Sequence, residues 1–142
     1  MNKWAKEFDS WAICDTTCFH LFDRTEHAWS KVEEWAKSRQ EFVKRASYAL
    51  IWSLSVHDKE ASDEKFVAAL ELIERVGPEP RPLVKKAVDM ALRATGKRNA
   101  SLNRAAIDVA GRMSLSDDKD AAWIGTHARR ELTSPKVQSR FE

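Results

Sequence analysis

Phe42-Val43-Lys44-Arg45-Ala46 and Leu83-Val84-Lys85-Lys86-Ala87 are near-copies of one another, lying 41 residues apart. Around each copy runs the same pattern: an apolar helix, a short polar break and a second helix. A period of roughly forty residues with helix pairs as the unit is the signature of an α-solenoid of the HEAT or armadillo kind. One such pair cannot bury its apolar face alone, and stacking on its neighbours supplies the cover. The period therefore predicts an all-α, α-α superhelix. It also places the copied basic pair at equivalent points on successive helices, where the charges would line one concave wall and a long polyanion could lie.

Outward from the two copies, periodicity and break signals predict about eight helices in one continuous domain, 1–142. They cover about 3–8, 11–22, 26–37, 41–56, 64–76, 82–95, 101–113 and 119–132, with a short tail from Pro135. Asp9 or Ser10 caps the second helix, and Ser62 or Asp63 the fifth. Gly77-Pro78-Glu79-Pro80 stops the fifth, because proline cannot continue a helix and restricts the residue before it. The sixth opens on a tolerated proline, Pro82, and ends at Gly96. Only 4 Gly and 4 Pro interrupt the chain, and nothing alternates with period two, so no sheet is expected. Among six tryptophans, Trp4, Trp29, Trp35 and Trp123 are read as core, filling seams between stacked helices.

Composition limits function only loosely. A chain of 142 residues suits one domain with a working core. No apolar run is long enough to span a membrane. The start, Met1 to Glu7, has no apolar centre like that of a signal peptide, so the expectation is an intracellular, cytoplasmic protein. The net charge is +2, but it is unevenly spread. Residues 1–80 hold 11 Lys+Arg against 15 Asp+Glu, whereas 81–142 hold 13 against 7. A basic half fits a polyanion-binding surface, and equally a solvated helical face.

Two constellations carry chemistry. On the second helix Trp11 and Asp15 are four residues apart and share a face. An acid beside a tryptophan on an apolar stripe is costly to bury alone. It either bonds the next helix or meets solvent at an edge, or it is a carboxylate lining a groove with Trp11 as the wall. On the fourth helix Arg45, Tyr48 and Trp52 rise one above another, with Lys44 and Ser55 beside them. A cation interleaved with aromatics suits phosphate and base contact; it equally suits an arginine at a solvated edge with both rings packed sideways. The sixth helix repeats the face as Lys86, Asp89, Met90, Arg93 and Lys97. Arg98, Arg104, Arg129, Arg130 and Lys136 extend the basic track. Cys14 and Cys18 have no second ligand pair and His27, His57 and His127 no metal spacing, so no metal is expected; no phosphate loop or dinucleotide fingerprint appears, so neither is a cofactor.

At these residues the chain resembles the bacterial DNA alkylation-repair proteins of HEAT-like fold, the AlkD type. The likeness rests on Phe8-Asp9-Ser10-Trp11-Ala12-Ile13-Cys14-Asp15, on Phe42 to Ala46, on Leu83 to Val88 leading to Ala91-Leu92-Arg93, and on Arg130-Glu131-Leu132-Thr133-Ser134-Pro135-Lys136-Val137. It implies a glycosylase that excises purines alkylated at N3 or N7 from duplex DNA in a basic concave groove. By motif, Trp11, Asp15 and Arg45 would be the catalytic cluster. Lys44, Tyr48, Trp52, Lys85, Lys86, Met90, Arg93, Lys97 and Arg98 would face DNA. An alkylated purine is cationic, so its glycosidic bond is already weak; a carboxylate stabilises the oxocarbenium-like sugar left behind or positions water. Asp15 would do this, Trp11 would pack on the deoxyribose and Arg45 would hold a phosphate. Members of this type need not flip the base into a pocket.

The chain departs from that pattern in two places. Met90 stands where many members carry a further groove tryptophan, and the helices that usually precede the Asp-Ser-Trp segment are absent. A shortened relative or a fragment is implied, with an uncapped solenoid end through which two copies could pair as a homodimer. Two other readings fit the same fold: a DNA-binding relative without turnover, and a HEAT-type protein-interaction scaffold.

Overall fold

The computed structural model describes residues 28–57, 62–76 and 79–141, and every element among them is helical. They are α1 (Ala28–Ala36), α2 (Glu41–His57), α3 (Asp63–Glu74), α4 (Pro82–Gly96), α5 (Ala100–Ser114), α6 (Lys119–Leu132) and α7 (Pro135–Gln138), followed by a 3-10 turn, Ser139–Phe141. The two helices expected in 3–8 and 11–22 lie outside the described residues, and with them Trp4, Trp11 and Asp15. The other six appear within a few residues of their expected bounds.

The helices form two layers. In one, α2 packs along α4 and α4 along α6; in the other, α1 packs on α3 and α3 on α5. The pairs α1–α2, α3–α4 and α5–α6 are thus successive units of one stack, the α-α superhelix that the period predicts. Between the layers lie Leu50, Ile51, Leu54, Phe66, Ile73, Val88, Leu92, Leu102, Ile124 and Leu132, each buried. Full burial of side chains of this size contributes about 1.5–3 kcal/mol apiece, which makes the seam the dominant stabilising term.

Local chemistry fixes where the helices begin. Asn99 is extended, and its side chain accepts from the Leu102 amide at 2.8 Å; Asp118 accepts from the Ala121 amide at 3.0 Å. Each satisfies a helix-start amide that would otherwise lack a partner. Asp118→Ala is therefore expected to lower stability by about 1 kcal/mol, measured by urea unfolding. Ser62 is the N-cap of α3, although its side chain makes no capping bond.

Gly96 ends α4 as expected: it is the last helical residue, and a Cβ there would meet Leu132 Cδ2 at 2.6 Å and the Ala106 Cβ at 3.0 Å, so the glycine serves close packing. One expectation needs correcting. Trp123 is not core: it is 42 % exposed on α6. Trp35 is buried as expected, and Trp29 packs edge-on against Phe66 at 4.9 Å.

The lysines of the sequence repeat bind the units together. Lys44 Nζ reaches Glu79 Oε2 at 2.9 Å, and Lys85 Nζ reaches Asp120 Oδ1 at 2.9 Å, each across 35 residues. Donor and acceptor are both displaced by the same 41 residues, from Lys44 to Lys85 and from Glu79 to Asp120. The repeat therefore carries an ion pair as well as a hydrophobic pattern.

Candidate nucleic-acid interface

The last turns of α2 and the second half of α4 diverge to leave an open groove of about 400 Å³, lined by Trp52, Ser55, Val56, Met90, Arg93, Ala94, Lys97, Arg98 and Arg140. Helix periodicity explains why these side chains meet. Met90, Arg93 and Lys97 recur at spacings of three and four on one side of α4. Trp52, Ser55 and Val56 do the same at the open end of α2. Five residues chosen from sequence, Trp52, Met90, Arg93, Lys97 and Arg98, are thus brought together. Arg140 is added by the C-terminal turn, which folds back because Gln138 Nε2 donates to the Leu132 carbonyl at 2.7 Å and to Asn103 Oδ1 at 3.2 Å.

A network of ion pairs fixes the groove's cations. Arg93 donates from Nε to Asp89 Oδ2 at 3.0 Å and from Nη1 to Glu131 Oε2 at 2.8 Å. Lys97 Nζ donates to Glu131 Oε1 at 2.6 Å. Buried Asp89 also lies 3.0 Å from His127 Nδ1. Arg98 Nη1 donates to the Ser55 carbonyl at 3.1 Å, and its guanidinium lies 4.2 Å over the Phe66 ring. Burial works to raise the Glu131 carboxyl, but the bonds from Lys97 and Arg93 outweigh it and hold that carboxyl below its ordinary range. Burial likewise works to lower Arg93, and the bond from Glu131 and the Asp89 charge reverse the sign. Both partners are charged at neutral pH.

The remaining sequence candidates lie elsewhere. Arg45 is 4 % exposed, and its Nη1 donates to the Leu83 carbonyl. Tyr48 is 1 % exposed, so the contact face read from its spacing with Arg45 and Trp52 is closed at that level and open only at Trp52. Burial, and then the nearby Glu79 charge, push the Tyr48 hydroxyl well above its ordinary value. Lys44 and Lys85 are committed to the inter-unit pairs, while Lys86 is exposed. Beside Lys85, Trp123 stacks on His127 at 4.9 Å, and the lysine ammonium lies 4.8 Å from the centre of the indole. Catalytic candidates Trp11 and Asp15 lie outside the described residues.

Sequence reasoning missed Glu79, Asp120, Glu131 and Arg140. The acids carried a readable signal: each stands 34 to 38 residues after the base it meets. Among the described residues no group of His, Cys, Asp and Glu could hold a metal ion, and no helix is long and apolar enough to cross a membrane. Chemically the groove offers cations, an indole and a thioether, groups of the kind that contact phosphates and apolar sugar and base faces.

No curated protein and no solved structure matches the chain. A family described as DNA alkylation repair enzyme matches residues 1–132, nearly the whole length. With its two-layer stack and basic groove, the chain belongs to the DNA alkylation repair enzyme family.

Proposed function

We propose that the protein is a glycosylase that excises N3- and N7-alkylated purines from duplex DNA laid across the groove between α2 and α4. The observation that carries this reading is the convergence of Trp52, Met90, Arg93, Lys97 and Arg98 on one basic groove in a DNA alkylation repair protein. Phosphates meet the cations; Trp52 and Met90 meet sugar and base faces. Asp15 supplies the carboxylate that stabilises the sugar cation as the base leaves or positions the attacking water, and Trp11 packs on the deoxyribose. Arg45 is buried and its Nη1 donates to the Leu83 carbonyl, so the phosphate contacts are assigned to the other cations of the groove rather than to Arg45.

Release of 7-methylguanine from methylated duplex DNA tests this, with wild type and Asp15→Asn compared at matched salt. Release by wild type alone is the expected result. Asp15→Asn should retain binding whose log K falls linearly with log salt concentration, because the phosphate contacts are untouched. Release by neither, with salt-sensitive binding kept by both, would identify a DNA-binding relative without turnover. Absence of DNA binding would point to a protein-interaction scaffold.

A further inference from the structure

Glu131 holds an unusual place in the groove network. It comes from the last turn of α6 and bridges two cations at the end of α4 with separate oxygens, Arg93 Nη1 at 2.8 Å and Lys97 Nζ, just past the helix, at 2.6 Å. Arg93 and Lys97 both line the groove, together with Arg98 and Arg140. The bridge is open to solvent: Glu131 is 34 % exposed at the side chain, Arg93 26 % and Lys97 27 %. Two oxygens of one anion spanning a guanidinium and an ammonium at charge-assisted lengths is also how a phosphodiester would be held.

We propose that Arg93 and Lys97 form a DNA phosphate site, and that the Glu131 carboxylate occupies it in the free protein and is displaced when DNA binds. This rests on the DNA reading above and deepens it by naming both the site and its internal competitor. Magnitudes allow the exchange. A part-exposed ion pair contributes about 1 kcal/mol or less, so a strand contacting several cations at once outcompetes a single carboxylate. Asp89 is different: it is 4 % exposed at the side chain and bound by both Arg93 and His127, so it stays in place and keeps the Arg93 guanidinium aimed when Glu131 leaves. Glu131 thereby keeps the groove from accepting stray anions, and DNA pays a fixed penalty on entry.

The test is DNA affinity as a function of potassium chloride for wild type and Glu131→Gln. Glu131→Gln is expected to bind duplex DNA about 3- to 10-fold more tightly at low salt, with a log–log salt slope steeper by about one. An unchanged affinity and slope, with wild type still binding in a salt-sensitive way, overturns the proposal and leaves the DNA reading intact. Loss of salt-sensitive binding in wild type overturns both. If Glu131→Gln does not fold, the carboxyl carbon resonance of Glu131 in ¹³C-labelled wild type decides. It should shift on DNA addition as the carboxylate leaves its cations, and a stationary resonance sinks the proposal.

Discussion

Gly125→Ala is expected to destabilise the protein by about 2–3 kcal/mol, a fall in Tm of about 10 °C, whereas Gly111→Ala should stabilise it by up to about 1 kcal/mol. Both glycines are in helix interiors, and in isolation alanine would be the better helix former at each. Their surroundings differ. A Cβ on Gly125 would lie 2.4 Å from the Ser114 amide nitrogen, 2.5 Å from the Ala110 carbonyl oxygen and 2.8 Å from the Met113 carbonyl carbon. All three are backbone atoms of α5, so no rotamer change relieves the overlap; α6 as a whole must move away from α5. That movement would also open the packing around Ile124 and Ala128, both fully buried. At Gly111 nothing stands within 4 Å of the added carbon, and only the helix propensity gain is left. Opposite shifts of the urea midpoint for one and the same substitution would establish that the α5–α6 contact depends on backbone approach. Equal shifts would refute it.

Glu79→Ala should cost about 3 kcal/mol, and acid should reproduce part of that loss in the unmodified protein. The Glu79 side chain is 3 % exposed, and its oxygens accept from Lys44 Nζ at 2.9 Å and from Arg81 Nε and Nη2 at 2.7 and 2.9 Å. Removing it leaves Lys44 part-buried without its anion. The Arg81 bonds, followed by those of Lys44, overcome burial and hold the Glu79 carboxyl down to about 2, against 4.5 ordinarily. A carboxyl lowered on folding adds stability at pH values above its unfolded value, and that stability goes as the folded value is approached. Unfolding free energy should therefore decline between about pH 4.5 and pH 2, and Glu79→Ala should flatten the decline over that window. A decline of the same depth in both proteins would assign acid lability to other groups. At the alkaline end, Tyr48 is raised on folding, by burial and then by Glu79, so the stability it contributes should begin to fall as pH passes 10.0.

The fold was legible because one short motif recurs at 41 residues and because proline and glycine punctuate the chain where α3 stops and α4 starts. The groove was legible for a related reason. Met90, Arg93 and Lys97 lie at helical spacing on a face that its neighbours cover only in part, and Trp52 ends the matching face of α2. A period shows which positions are equivalent; it does not show which of them the next unit covers. Lys44 and Lys85 repeat as faithfully as a binding track would, yet each points at an acid in the unit that follows. Arg45 and Tyr48 share a face with Trp52, but α2 is enclosed over most of its length, so only its end reaches solvent. Trp123 was misread for the converse reason. A tryptophan on an amphipathic helix is usually core, and here α6 turns it outward, where His127 and Lys85 flank it.

The paired ties, Lys44 to Glu79 and Lys85 to Asp120, also bear on how the chain comes apart. An array of modules joined by apolar contact alone can fray from its ends, because each module's loss exposes only one interface. Here the joint between first and second pair, and that between second and third, each contain a partly buried charge that would lose its counter-ion on separation. Detaching an outer module therefore incurs an electrostatic cost on top of the exposed surface, so partly opened forms are rarer than the modular architecture alone would allow. The wall formed by α2 and α4 then opens and closes as one body, and the spacing between its cations stays fixed.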